Sequence, residues 1–504
     1  MAASTIILTL LGYVALLFIV AWRTSRGGSA MGYFTGGRTT HRIVAAVAMV
    51  GAAMSGVTYI SVPGTVLTDG FSYLQTTLGF FVGYLVIAFV LVPLYYRLGV
   101  VSLYEYLERR YGATAHRTGA WFFFLAKIFS ASLRAYVICV VLQSLLFDQY
   151  NIPFFVNAAI MITLVALYTR RGGVRSVVSV EMFKSLIMVA AIVATIVAII
   201  RELGLDVGGA VELIAQNDYS QTLFFDDPLD GRYFWKQFLA GIFLVVAMTG
   251  LDQDMMQTVL SCRSKRDAQQ SLITSIVIQV IVILLFLSLG VLLYMLAAER
   301  GIVPTNGQMP LVDPSGVSVV ERGDDLFGYV AISGGLPVAV GVLFLLGLVA
   351  SSYSSAGSAL TALTTSFTLD ILGVKHDDKS GAIERKRSIA HAVIAICMVL
   401  IITTFDAFSS SGAITLIFTM ASYTYGPLLG MFLFGLTTRR VPRPWAIPIV
   451  AISAPSLCYV IAQNSEAWFA GYSFSYEVLI LNGMLTFCGL GLASLGRSIR
   501  AERL

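Results

Sequence analysis

The sequence predicts an all-α polytopic membrane protein of about 13 transmembrane helices, and three observations carry that prediction. First, 57% of the 504 residues are hydrophobic and only 12% are charged, where a soluble domain carries about 25% charged residues. Second, apolar runs of roughly 20 residues, enough to cross ~30 Å of hydrocarbon, recur along the whole chain. Third, 26 of the 33 Lys and Arg residues fall in alternate gaps between those runs. Such a surplus marks the cytoplasmic side, which sets the N-terminus outside and the C-terminus inside. This composition excludes a soluble enzyme, a disulfide scaffold and a disordered chain.

The spans are expected near 4–22, 42–62, 73–98, 118–147, 153–170, 177–200, 234–260, 270–297, 336–367, 388–405, 411–437, 444–463 and 475–496. Positive residues follow the first run rather than precede it, so 4–22 reads as a retained helix and not a cleaved signal. Inner gaps hold basic clusters such as Arg109, Arg110 and Arg117, or Arg385, Lys386 and Arg387, and Lys184 is counted with them. The longest outer loops, about 201–233 and 298–335, are acidic and too short for a nucleotide site or a protease. The net charge of +5 is therefore a topology signal rather than a nucleic-acid surface. The cysteines (Cys139, Cys262, Cys397, Cys458, Cys488) have no metal-like spacing and imply no disulfide. Transport of a small solute across the lipid bilayer is the expected task, with no nucleic acid and no obligate protein partner.

Two spans are interrupted. Met49–Gly64, MVGAAMSGVTYISVPG, sets Gly51, Gly56, Pro63 and Gly64 around small and hydroxyl residues. Gly250–Thr258, GLDQDMMQT, places Asp252 and Asp254 at the end of an apolar helix. Non-helical backbone at membrane depth is tolerated where it lines a protein cavity, and inverted-repeat transporters bind ions and substrate at such breaks. A third feature is Ala350–Asp370, where Ser351, Ser354, Ser355 and Ser358 recur at helical spacing and form one stripe. Neutral hydroxyls with released carbonyls suit a sodium ion; a packing seam of serines bonded back to their own helix gives the same pattern.

Taken in order, YFTGGR (Tyr33–Arg38), the broken segment ending Val62-Pro63-Gly64, SLYEYLERRYG (Ser102–Gly112), GGVRSVV (Gly172–Val178), LDQDMMQ (Leu251–Gln257) and the 350–370 stretch resemble the sodium/solute symporter family. That family includes sodium–glucose, sodium–proline and sodium–sialic acid transporters, and the chain is similar to its bacterial members. The resemblance implies a LeuT-type architecture of two five-helix inverted repeats in the cell inner membrane. The boundaries would be 1–39 for an additional N-terminal helix and inner loop, 40–201 for the first repeat, 202–231 for an outer loop, 232–437 for the second repeat, and 438–504 for two further helices and a short cytoplasmic tail. It also implies a Na+ site made by the hydroxyls of Ser354 and Ser355 and the carbonyls of Gly51, Met54 and Ser351. On the fifth core helix the family's Thr-Asp-x-x-Gln is replaced by Val180-Glu181-Met182-Phe183-Lys184, and the matching eighth-helix positions are Gly357 and Ser358. Glu181 and Lys184, at i and i+3, can pair directly. With Ser358 they mark a second ion or coupling site whose ammonium takes charge space that a second sodium would need.

Ionisable groups inside spans are costly and usually functional. Lys127 and Arg134 lie seven residues apart on one face of the third core helix, with Asp252, Asp254 and Glu181 as available partners. Either these groups neutralise one another, or Arg134 offers a positive end to an acidic substrate group. Resemblance to the sugar transporters adds Thr58, Thr77 or Gln75, Asp252, Tyr423 and Tyr425 as substrate contacts. The expected function is a sodium-coupled secondary active symporter, not an enzyme, importing a small polar solute such as a sugar or sugar acid by alternating access. The alternatives are proton coupling through Glu181 or Asp252, and a sensor with a transporter-like body.

Overall fold

The computed structural model describes residues 3–24, 39–99, 103–169, 174–305, 307–373, 381–408 and 413–495. The Tyr33–Arg38 motif and the basic residues at 170–171, 375–379 and 497–503 lie outside them. Helix α1 spans Ala3–Thr24. The first core helix is broken into α2 (Arg42–Ala53) and α3 (Gly56–Gly64). There follow α4 (Tyr73–Leu98), α5 (Ala113–Leu142), α6 (Phe154–Thr169) and α7 (Val174–Glu202). The second half opens on another broken helix, α8 (Phe234–Gly250) and α9 (Gln253–Leu260). It continues with α10 (Lys265–Glu299), α11 (Val338–Ser366), α12 (Gly381–Phe408) and α13 (Ala413–Thr437). Helices α14 (Ala446–Gln463) and α15 (Val478–Ala493) close the described chain.

Among the described residues, eight helices are long and apolar enough to cross a membrane, and the two bent pairs raise the number to ten. Shorter apolar helices at Ser4–Ile19, Phe154–Thr169 and Val478–Ala493 fall on the three other expected spans. The halves pack by matching contacts: α3 lies on α10 as α8 lies on α4, and α5 lies on α13 as α11 lies on α7. Glycine sets the closest of these approaches. A Cβ on Gly79 of α4 would sit 3.0 Å from the Gly241 Cα of α8, and a Cβ on Gly290 of α10 would sit 2.5 Å from the Pro63 carbonyl oxygen. No larger residue allows two helix backbones to touch in this way.

The expectation of a purely helical chain needs one correction. Residues 303–320 form a three-stranded antiparallel sheet, β1 (Val303–Thr305), β2 (Gln308–Val312) and β3 (Ser318–Val320), in the order β1-β2-β3. Its cause is local. Asn306-Gly307 and Asp313-Pro314-Ser315-Gly316 are turn sequences between short valine-bearing stretches, with Gly307 at φ 75° and Gly316 at φ 82°. The Ser315 hydroxyl beside Asp313 holds its carboxyl below the usual carboxylate range.

Candidate ion and substrate site

The first break lies at Met54 (φ −91°, ψ 109°) and Ser55 (φ −99°, ψ 176°), both extended, and bends α2 against α3 by 61°. Among the described residues, the carbonyls of Gly51 and Met54 receive no backbone hydrogen bond across it. Helix α7 lies hard against this turn. A Cβ on Gly51 would stand 2.5 Å from the Glu181 carbonyl oxygen and 3.1 Å from Glu181 Oε2. On the other side Gly56 rests on α11, where a Cβ would overlap the Ser352 hydroxyl and lie 3.2 Å from that of Ser351. Glycine at 51 and 56 is thus what brings α7 and the serine stripe onto the break.

Within the stripe, Ser351 donates to the Leu348 carbonyl at 2.8 Å, Ser355 to that of Ser351 at 2.9 Å, and Ser358 to that of Ser355 at 3.3 Å. The Ser354 side chain lies outside the described residues, so only Ser355 of the two expected hydroxyl donors is described. Ser355 Oγ also accepts from Lys184 Nζ at 3.1 Å, and that ammonium pairs with Glu181 Oε2 at 2.7 Å. Lys184 is 1% exposed and Glu181 2%. Lys184 is therefore a buried group between the first break and the serine stripe, not an inner-face topology marker: its span continues past it, and Glu181 one turn earlier accepts its charge. At Gly357 a Cβ would collide with the Tyr168 hydroxyl, which donates to the Tyr353 carbonyl at 2.7 Å. A tyrosine from α6 fills the space where an eighth-helix hydroxyl was sought.

The second break bends α8 against α9 by 71°. Asp252 is the N-cap of α9, accepting from the Asp254 amide at 2.9 Å and the Met255 amide at 3.2 Å, which satisfies donors that a helix start leaves open. Lys127 Nζ lies 3.1 Å from both Asp252 carboxylate oxygens and 2.9 Å from Asp254 Oδ2. The Tyr425 hydroxyl donates to Asp252 Oδ2 at 2.7 Å. The carbonyls that the bend would release are taken by phenols: Tyr95 donates to Gly250 at 3.0 Å and Tyr104 to Leu251 at 3.1 Å. Gln253 accepts the Leu103 amide at 2.8 Å. Leu103 and Tyr104 belong to the SLYEYLERRYG motif, so that segment latches under the second break; the motif was visible in the sequence, its purpose was not.

Between the breaks lies an open cavity lined by Met54, Ser55 and Thr58 of the first break, Thr249 of α8, and Arg134. The remaining wall is largely apolar and aromatic, including Tyr73, Phe80, Leu244, Met248, Met255 and Phe418. Tyr73 and Phe418 stack with ring planes 7° apart. Tyr84 and Gln279 also line it and bond each other at 2.8 Å. Arg134 makes no ion pair among the described residues, and its buried Nε has no hydrogen-bond partner there.

Of the residues read as substrate contacts, the cavity brings together Thr58 and Arg134. Asp252 is engaged by Lys127 and by Tyr425, and neither Asp252 nor Tyr425 lines the cavity. Gln75 has both amide ends committed, donating to the Arg232 carbonyl at 2.8 Å and accepting from the Phe224 amide at 3.1 Å. Thr77 bonds back to the Tyr73 carbonyl at 2.9 Å. Tyr423 points to α14, 6.1 Å from the Tyr459 ring, and lines a separate polar crevice. The aromatic and methionine lining was not singled out from the sequence, because such residues are common in every span.

A model of the sodium:solute symporter family matches residues 33–448. The chain belongs to the sodium:solute symporter family. It is 25% identical to the human sodium/iodide cotransporter over 82% of this chain and 62% of that protein. To the sodium-coupled monocarboxylate transporter 1 of Xenopus laevis it is 23% identical, over 80% of this chain and 62% of that one. The chain thus spans less than two thirds of the length of these two relatives. The sodium/sialic acid symporter SiaT of Proteus mirabilis is 22% identical, with 88% of this chain and 87% of that protein covered. Among solved structures, a substrate-bound, outward-open Na+-coupled sialic acid symporter superposes with a TM-score of 0.79 at 18% identity, covering 98% of this chain and 99% of that one. A nucleobase-cation-symport-1 family transporter in a closed conformation gives 0.57 at 12% identity, with 94% and 96% covered. These likenesses establish the fold.

Proposed function

We propose that this protein is a sodium-coupled symporter that imports a small carboxylate with an apolar body. The observation that carries the reading is Arg134: a guanidinium whose buried Nε lacks a partner, set in the wall of a largely apolar cavity whose other lining residues carry no charge. This partly exposed guanidinium has no ion-pair partner among the described residues, and its planar fork is shaped to receive a carboxylate through two parallel hydrogen bonds. Methionine, aliphatic and aromatic side chains share the wall with the hydroxyls of Ser55, Thr58, Tyr73, Tyr84 and Thr249 and the Gln279 amide, and the charged residue in that lining, Arg134, asks for an anionic group. Of the two solutes expected, sugar and sugar acid, that favours the acid. Three relatives are named for anionic solutes, namely iodide, monocarboxylates and sialic acid, which supports a negative charge on the solute.

Sodium is a co-substrate in this scheme. The released carbonyls of Gly51 and Met54, with Ser351, Ser354 and Ser355, form the locus it would use between the first and eighth core helices. The repeats 40–201 and 232–437 then exchange access from the outer to the inner side. Direct proton coupling through Asp252 is disfavoured, because that carboxylate is held by Lys127, Tyr425 and two backbone amides. Uptake into proteoliposomes tests the proposal. A short monocarboxylate should accumulate with a sodium gradient and not when choline replaces sodium. Arg134→Gln should weaken its apparent affinity about ten- to a hundredfold, the worth of a charged hydrogen bond. Sodium-driven uptake of a neutral sugar, unaffected by Arg134→Gln, would sink the carboxylate reading.

A further inference from the structure

We infer that Lys184 is a tethered cation at the sodium locus: its ammonium and a sodium ion share the Ser355 hydroxyl and exclude one another. This rests on the sodium-coupled reading above. Ser355 Oγ, one of the oxygens the ion would use, already accepts from Lys184 Nζ at 3.1 Å. The ammonium comes from α7, which also supplies the carboxylate that faces Gly51 at the break. The Lys184 side chain therefore ties α7 to α11 through Ser355, and its partner Glu181 borders α2 at Gly51.

Two unit charges sharing one oxygen at membrane depth repel strongly, since little water lies between them. Sodium can therefore enter only as the ammonium withdraws. Withdrawal is local, because Glu181 lies 2.7 Å from the ammonium at i, i+3 and the lysine stem is long and flexible. The same ammonium contact would hold α7 to α11 when no ion is bound. The expected signature is a sodium affinity weaker than the oxygen set alone would give.

Sodium binding to the purified, full-length protein, measured with radioactive sodium, tests this directly. Lys184→Met should bind sodium about tenfold more tightly than the unaltered protein, whereas Lys184→Arg, which keeps the cation, should not. The paired change Glu181→Gln/Lys184→Met removes a neutral ion pair, keeps the local charge balance and is the variant expected to fold most securely; it should show the same tightening. An unchanged affinity in the paired variant overturns the inference. So does a gain confined to Lys184→Met, which would assign the effect to a freed Glu181 carboxylate. The two readings fail separately. Sodium-independent uptake by the unaltered protein, with sodium binding gained in the paired variant, would sink sodium coupling and sustain the tethered cation. Sodium-driven uptake with no gain in that variant would do the reverse.

Discussion

Lys127 and Lys184 are both buried ammonium groups beside a broken helix, and they are held very differently. Lys127 meets the carboxylates of two aspartates, one of which also caps α9 and accepts from Tyr425. Lys184 has one carboxylate and one serine hydroxyl. A lysine carries three donors; at the second break they find carboxylate oxygens, while at the first one faces a neutral oxygen that an ion could claim. The second break is a finished joint tying α5 and α13 to the α8/α9 bend. At the first, one ammonium contact falls on a neutral hydroxyl.

The comparison breaks if the two ammonium groups respond alike to removal. Lys127→Met strands two aspartates in the membrane and should destabilise the protein by about 3–5 kcal/mol, the usual effect of deleting one partner of a buried pair. Thermal unfolding in detergent reads it, and a loss no larger than that of Glu181→Gln/Lys184→Met would end the distinction. Tyr425→Phe sharpens it. Asp252 would lose a donor but keep Lys127 and its amides, for a loss near 1.5 kcal/mol, seen as a lower unfolding temperature with sodium binding unchanged. Ser355→Ala should have the smallest effect on stability, about 1 kcal/mol, because the Glu181 pair survives. Its larger consequence should be weaker sodium binding, and equal sodium binding in Ser355→Ala and the unaltered protein would remove Ser355 from the ion locus.

Much of this was legible in the sequence. Apolar runs located the helices, and glycines within two of them located the bends. The i, i+3 spacing allowed Glu181 to pair with Lys184. Other features depended on information that spacing does not contain. Lys127 and Asp252 lie 125 positions apart, so their union is set by tertiary packing alone. Lys184 sits near a span end, where a lysine normally marks the inner face, and only packing against α2 and α11 shows it to be buried. Gln75 and Thr77 are polar residues on a cavity-forming helix, yet a helix turns about 100° per residue, and that rotation carries both side chains away from the cavity. The sheet at 303–320 was overlooked because a search tuned to spans passes over two short turns in an outer loop.

The phenols of Tyr95 and Tyr104 also bear on the electrical character of transport. By donating to the Gly250 and Leu251 carbonyls, they occupy two main-chain oxygens at the second bend, whereas the ion locus proposed above lies at the first. A cycle carrying one sodium and one carboxylate moves no net charge, while Lys184 and Glu181 stay aboard. The membrane potential, worth about 2.3 kcal/mol per elementary charge per 100 mV, would then do no work on the solute. Accumulation should follow the sodium gradient alone, and uptake should be indifferent to a potassium diffusion potential imposed with valinomycin. A carrier of this kind gathers its acid without drawing on the cell's voltage.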